Sequence, residues 1–86
     1  MDSMTNYVSI KYFSILAEIT GRRKEERPLT KGQSVEQILK DLTSEFPEMQ
    51  RYVPHIRAAV NQNYQPLDYQ PENRDEIVFI TPVSGG

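Results

Sequence analysis

One stretch of the chain, residues 34–46, restricts the possible folds more than any other. Its apolar residues recur at the spacing of one helix face, and they are Val35, Ile38, Leu39, Leu42 and Phe46. Ser34 and Gln37 have the spacing of a capping box, in which each residue satisfies a backbone amide that the helix start leaves unpaired. Pro47 ends the helix, because the residue before a proline avoids the helical conformation. A helix with a single apolar side must lie against an apolar surface elsewhere in the chain.

Three segments have the pattern of strands that supply this surface. Residues 7–14, 56–61 and 75–81 each carry apolar side chains at a period of two, which places them on one side of a strand. The predicted inward-facing residues are Val8, Ile10, Tyr12, Ile56, Ala58, Val60, Ile77 and Phe79.

The remaining segments predict weaker elements. Residues 15–20 suit a short helical turn that ends at Gly21, followed by an exposed connection into a charged strand near residues 25–29. Residues 47–55 are expected to be a loop with one turn of helix. Residues 61–73 are rich in Asn, Gln and Pro, so we expect turns with room for one short edge strand.

The order strand, strand, helix, strand, short strand, strand predicts an α+β domain. A helix that links an early hairpin to a later strand is typical of a β-grasp fold, here a mixed sheet of four to five strands packed on one main helix. We expect a frayed N-terminus over residues 1–6, the domain over residues 7–80, and a protruding, flexible C-terminal tail over residues 81–86.

Composition excludes several kinds of chemistry. With no cysteine and one histidine, His55, the chain cannot assemble a cysteine nucleophile, an iron–sulfur cluster or a cysteine zinc site, and we expect no bound metal. The balance of 10 basic against 12 acidic residues, net −2, gives no electrostatic footprint for nucleic acid or anionic lipid. The longest apolar run, residues 77–80, is too short to span a membrane. We therefore expect neither nucleic acid nor membrane as a partner, and a cytoplasmic location.

Two charged stretches have ordinary interpretations. The cations at residues 22–24 are followed directly by Glu25 and Glu26, which favours a solvated connection over an anion site. Asp75 and Glu76 are adjacent on a predicted strand and so point to opposite sides, which favours a turn and strand start over a pair of catalytic carboxylates.

The C-terminus is the most informative feature for function. The last strand leads into Thr81 and then directly into Pro82, Val83, Ser84, Gly85 and Gly86. Six extended residues reach roughly 20 Å, so the tail can enter a partner's cleft. Pro82 restricts the backbone conformations near the start of the tail. The two glycines have no Cβ, so their backbone fits a narrow channel. The chemical group that such a tail delivers is its terminal carboxylate. That group becomes an acyl donor only after an ATP-using partner converts Gly86 to an acyl-adenylate.

These residues resemble the small, MoaD-type subunit of molybdopterin synthase, within the ubiquitin-like β-grasp sulfur carriers. The resemblance covers about residues 7–86. It rests on residues 13–18, Gly21, residues 59–62, residues 75–77 and, above all, residues 82–86. Arg74 stands where this family often has glycine, and we expect Asn73 to adopt the left-handed conformation in its place. Thr81 stands where a first proline is common, which loosens the start of the tail.

The resemblance implies a cycle in which the chain is a donor of sulfur rather than a catalyst. An ATP-dependent activating enzyme adenylates Gly86, and a sulfur source converts it to a thiocarboxylate. The tail then enters the large synthase subunit and gives sulfur to a cyclic pyranopterin phosphate. The family assembly is a heterotetramer, and the chain itself binds no cofactor.

The strand pattern adds a docking prediction. Phe13 and Ile80 lie opposite the inward-facing residues of their strands, and Tyr64 lies in the turn-rich segment, so we expect all three to form a partner-binding patch near the tail. The alternative is that they are isolated exposed residues. Three other functions are compatible with this sequence: a thiazole-pathway sulfur carrier, a ubiquitin-like protein modifier, and an interaction module in which the glycines have no role.

Overall fold

The computed structural model describes residues 6–81, which form two α-helices, two short 3₁₀ helices and five strands. The strands are β1 (Tyr7–Tyr12), β2 (Lys24–Pro28), β3 (Arg57–Val60), β4 (Asn63–Gln65) and β5 (Glu76–Ile80). The α-helices are α1 (Ser14–Thr20) and α2 (Val35–Glu45), and the 3₁₀ helices are Pro47–Arg51 and Val53–His55. None of the helices within residues 6–81 has the length and apolar character to cross a membrane.

The strands form one mixed sheet in the order β2-β1-β5-β3-β4. β1 pairs with β5 in parallel, and the other neighbours pair antiparallel. Helix α2 connects the β1–β2 hairpin to β3, so the predicted α+β architecture with a main helix on a five-stranded sheet is present.

The main helix begins and ends as the sequence predicts. The Ser34 hydroxyl accepts a hydrogen bond from the Gln37 backbone N–H at 3.2 Å, and the Gln37 side chain accepts one from the Ser34 backbone N–H at 2.9 Å. These two bonds are the predicted capping box. The helix ends at Glu45, just before Phe46 and Pro47.

The core lies between α2 and the inner side of the sheet. The buried side chains include every predicted inward-facing residue: Val8, Ile10, Tyr12, Ile56, Ala58, Val60, Ile77 and Phe79. Val35, Ile38, Leu39 and Leu42 of α2 and Leu16 of α1 cover them. Met49, in the segment expected to be mostly loop, is fully buried from the first 3₁₀ helix, so this connection is part of the core.

One local expectation is wrong. Arg74, not Asn73, adopts the left-handed conformation, with φ of 73°. The Asn73 side chain instead accepts a hydrogen bond from the Tyr7 backbone N–H at 3.0 Å, which ties the turn to the start of β1. With Asn73 in that bond, the reversal of the chain before β5 falls on the next residue.

A network of hydrogen bonds and ion pairs covers the inner side of the edge strand β2. The Tyr12 hydroxyl donates a hydrogen bond to Glu25, and Arg22 contacts the other oxygen of the same carboxylate at 2.6 Å. Arg27 lies 3.3 Å from Glu25 and 2.8 Å from Glu45 at the end of α2. The network therefore joins β1, β2 and α2 at a point where the sheet has no further strand.

The network shifts the pKa values of its members. Burial raises the pKa of the Tyr12 phenol, and the hydrogen bond to Glu25 raises it further, so the phenol stays protonated. Burial by itself raises the pKa of Glu25. The hydrogen bonds from Tyr12 and Arg22, with the charges of Arg27 and Arg22, outweigh that effect and leave the pKa below its ordinary value of 4.5.

We expect Glu25→Gln to remove part of the acid sensitivity of this domain. Because the folded state lowers the pKa of Glu25, the charged carboxylate stabilises the fold above pH 4.5. That contribution is lost as the pH falls from there through the folded-state pKa. Free energies of unfolding from urea titrations at pH 6 and at pH 3 measure the effect. The variant should be less stable at pH 6, with a smaller difference between the two pH values than the unmodified chain has.

Glu26→Gln is the matched control, because Glu26 is the exposed neighbour of Glu25 on the same strand. It should keep the pH dependence of the unmodified chain. Equal pH dependence in the two variants would contradict the role assigned to Glu25.

Candidate functional site

The candidate site begins where β5 ends. Residues 82–86, which carry the predicted reactive carboxylate at Gly86 and the tail residues Pro82, Val83, Ser84 and Gly85, lie outside the described residues. The last described residue, Thr81, follows β5 directly. β5 lies between β1 and β3 in the middle of the sheet, so the chain leaves residue 81 at the centre of one edge of the sheet.

The strand directions bring the predicted docking residues to this edge. β1 runs parallel to β5, and their register ends at Tyr12 opposite Phe79, which places Phe13 next to Ile80. β3 runs antiparallel to β5 and begins at Arg57, opposite Ile80. We call this end of the sheet, where β1 and β5 end and β3 begins, the tail edge. It is defined by Phe13, Arg57, Ile80 and Thr81.

The side of the sheet away from α2 carries an apolar surface. Phe13 is 54% exposed and Tyr64 is 71% exposed, while Ile80 is partly buried. The exposure expected of Phe13 and Tyr64 is thus present, and Ile80 is less exposed than expected because it lies between neighbouring strands. That these residues bind a partner remains a prediction.

Two further residues join this surface through strand pairing. Val78 has the same parity as Ile80 on β5, and Ala59 is its partner on β3. Ala59 in turn pairs with Tyr64 on β4. Sequence parity already placed Val78 on the outer side, but only the register shows that it connects to Ala59 and Tyr64. We define the outer patch as the five residues Phe13, Ala59, Tyr64, Val78 and Ile80.

A tight turn holds Tyr64 in place. Asn61 and Gln62, between β3 and β4, both have positive φ, at 51° and 74°, as a type I′ hairpin turn requires. The Asn61 side chain donates to Asp75 at 2.9 Å and accepts from the Glu76 backbone N–H at 3.0 Å. These bonds fix the β3–β4 hairpin to the start of β5.

The charged residues singled out in the sequence have structural roles. Asp75 also accepts a hydrogen bond from the Glu72 backbone N–H at 2.8 Å, so it stabilises the turn before β5, in agreement with the interpretation given above. Arg22 is bound to Glu25, and its guanidinium carbon lies 5.6 Å from the centre of the Phe46 ring. His55 is exposed at the end of the second 3₁₀ helix.

Comparison with known proteins identifies the family. The model of the ThiS family matches residues 10–86, which is nearly the whole chain. The chain belongs to the ThiS family. Curated relatives from four organisms share the name "Molybdopterin synthase sulfur carrier subunit". The Homo sapiens relative is 36% identical over an alignment of 84 positions that spans 92% of this chain and 93% of the relative.

Solved structures show the same fold. SAMP1, the small archaeal modifier protein 1 of Haloferax volcanii, is 26% identical with a TM-score of 0.80, covering 93% of this chain and 99% of that one. A chain in the complex of subunits 1 and 2 of the molybdopterin-converting factor from Helicobacter pylori is 18% identical with a TM-score of 0.61, over 93% of this chain and 99% of that chain. The expected family resemblance and the β-grasp, ubiquitin-like fold are both confirmed.

Proposed function

We propose that this chain is the sulfur carrier subunit of a molybdopterin synthase and that it works through the carboxylate of Gly86. The observation that carries the proposal is the 36% identity, over nearly the full length, to a relative named as that subunit. The family match extends to residue 86, so Gly85 and Gly86 belong to the matched region.

Loading of sulfur begins with activation of a poor acyl donor. The Gly86 carboxylate attacks the α-phosphate of ATP on an activating enzyme, forming an acyl-adenylate and releasing pyrophosphate. A persulfide or sulfide sulfur then attacks the acyl carbon, and AMP leaves with the electron pair of the broken C–O bond. Where the source is a persulfide, this attack gives an acyl disulfide, and a thiol then attacks the sulfur atom of the source, forms a disulfide with it and releases the thiocarboxylate at Gly86. Where the source is sulfide, the thiocarboxylate forms directly. The carrier needs no cysteine for this chemistry, in keeping with its composition.

Delivery of sulfur is the second half of the proposed cycle. The thiocarboxylate enters the large subunit, its sulfur attacks the cyclic pyranopterin phosphate, and water hydrolyses the resulting thioester so that Gly86 returns to a carboxylate. Two such transfers supply the two sulfurs of the dithiolene of molybdopterin. The chain is the donor within a two-subunit transferase, and the assembly is a heterotetramer with two copies of this subunit. ATP is consumed by the activating enzyme, and this chain binds no cofactor of its own.

The outer patch suits the docking role in this proposal. It lies on the side of the sheet that α2 leaves uncovered, and it reaches the tail edge at Phe13 and Ile80. A partner that covers the patch is therefore placed beside the segment that carries Gly86. Apolar side chains gathered next to such a segment are typical of a protein interface.

A ubiquitin-like modifier is the second candidate function. It is favoured by the likeness to SAMP1, a protein named as a modifier, at 26% identity. In that function the acyl-adenylate, or a thioester derived from it, is attacked by a lysine amine of a target protein instead of by sulfur. A thiazole-pathway carrier shares the loading chemistry and differs in the enzyme that accepts the sulfur.

The mass of the loaded chain tests the proposal directly. We expect incubation with a cognate activating enzyme, ATP and a sulfur donor to add about 16 Da, because one carboxylate oxygen is replaced by sulfur. Intact-protein mass spectrometry measures the change. A chain that lacks Gly86 is the control and should keep its original mass. An unchanged mass of the full chain, or the same gain in the truncated chain, would contradict the proposal, and attachment to a target protein would favour the modifier.

A substitution in the outer patch tests docking separately from loading. Ile80→Glu should raise the dissociation constant for the large subunit at least about tenfold, because the interface would have to bury an unpaired carboxylate. Isothermal titration calorimetry measures the affinity, and the thermal unfolding midpoint checks the fold. Ser44→Glu, exposed on α2, is the matched control and should bind normally. Equal affinities of the two variants would remove the outer patch from the docking role.

A further inference from the structure

Two lysines oppose each other across the outer side of the sheet. The β1–β2 register pairs Lys11 with Lys24, and directly opposite residues of an antiparallel pair project to the same side. Like charges in such a pair reduce the stability of a sheet. Lys11 is compensated by Glu76, with 3.2 Å between Nζ and Oε2. Within residues 6–81, Lys24 forms no such ion pair, so the fold itself does not explain its charge.

A third cation stands at the tail edge, beside the outer patch. Arg57 begins β3 at the tail edge, is exposed, and forms no ion pair in the part of the chain that the structure describes. It also lines an open groove beside Tyr64. Between β2, which carries Lys24, and β3, which carries Arg57, lie three strand spacings of about 4.8 Å each, or about 14 Å in all. We call Lys11, Lys24 and Arg57 the basic rim.

Negative charge gathers at the opposite edge of the sheet. Glu72, Asp75 and Glu76 lie in the turn before β5 and at its first residue, where Arg74 is the one cation among residues 72–76. The outer patch reaches the tail edge at the other end of that strand. The chain has a net charge of −2, yet the three cations of the basic rim lie beside the patch, with Glu18 as a carboxylate in the groove that Lys11, Phe13 and Lys24 line. Charge is thus separated along the direction of β5.

We propose that the basic rim pairs with carboxylates that surround an apolar docking surface on the large synthase subunit, and that it steers the tail edge toward that surface. This inference rests on the proposed function. Complementary charges around an interface mainly raise the association rate and select the partner, while the apolar centre holds the complex. The large subunit is the favoured partner, because it stays bound to the outer patch while sulfur is transferred.

The charge distribution argues against other partners for this surface. Nucleic acid and anionic lipid bind to a dense array of positive charge, and the rim offers three cations on a chain of net charge −2. The apolar centre between the cations calls for a protein surface with apolar side chains of its own. The expected partner surface is therefore apolar at its centre and acidic at its rim.

Charge reversal tests the basic rim. The double variant Lys24→Glu/Arg57→Glu is compared with Lys31→Glu/Lys40→Glu, which changes the net charge equally at exposed positions in the loop before α2 and on α2. Stopped-flow measurement gives the association rate constant with the cognate large subunit at about 50 mM and about 500 mM salt. We expect the unmodified chain to associate at least about fivefold more slowly at high salt, and the rim variant to associate at least about tenfold more slowly at low salt with that salt dependence lost. The control should stay within about threefold of the unmodified chain.

A separate stability measurement guards against misfolding. Lys24→Glu alone places a carboxylate opposite Lys11, so its thermal unfolding midpoint should not fall below that of the unmodified chain. Equal rates for the rim and control variants, or an association rate that does not respond to salt, would overturn the proposal. So would a rim variant that is slowed only in its reaction with the activating enzyme. Failure of the unmodified chain to bind the large subunit at all would instead contradict the proposed function.

Discussion

The parallel pairing of β1 with β5 is the constraint on which the rest of the site depends. These two strands form the middle of the sheet, and their inward residues, among them Ile10 and Phe79, are completely buried under the helices. Because the strands run in the same direction, the end of β5 and the residue after β1 meet at the same edge. Ile80 therefore lies beside Phe13, and residue 81, to which residues 82–86 are joined, follows it directly.

The two sides of the sheet have different tasks. The inner side is closed by the stripe of α2 and, at the edge strand β2, by the ion pairs of Arg27 with Glu25 and Glu45. With stability provided on that side, the outer side is available for partners. Its apolar residues are connected through strand register, and its cations lie around them. Under the proposed function several enzymes recognise the chain in turn, and such a role is served by a separation between the surface that folds the chain and the surface that others contact.

Sequence periodicity predicted the parts of this structure that depend on near neighbours. The capping box of Ser34 and Gln37, the stripe of α2 and the inward parity of β1 and β5 each follow from spacing within one element. Pairings between distant segments could not be predicted, because parity assigns a side but not a neighbour. The links from Val78 to Ala59 and Tyr64, from Glu25 to Tyr12, and from Lys24 to Lys11 appear only with the register. Met49 looked like a loop residue because its burial depends on contacts made by the whole fold.

Within the candidate site, the exposure of Phe13 and Tyr64 followed from the sequence, and the cations around them did not. The reactive carboxylate at Gly86 is inferred from sequence and family, since it lies beyond the residues that the structure describes.

Transfer of a labelled sulfur atom is the most direct test of the central claim that the chain acts by carrying sulfur on Gly86. The chain is loaded with ³⁴S at its C-terminus and freed from the sulfur source. It is then mixed with the large subunit and the cyclic pyranopterin phosphate, at two or more loaded chains per pterin, in a single turnover. Mass spectrometry of the pterin product should show ³⁴S in its dithiolene, together with return of the chain to its unlabelled carboxylate form. A dithiolene product without the label, or a labelled chain that keeps its sulfur while product forms, would contradict the account.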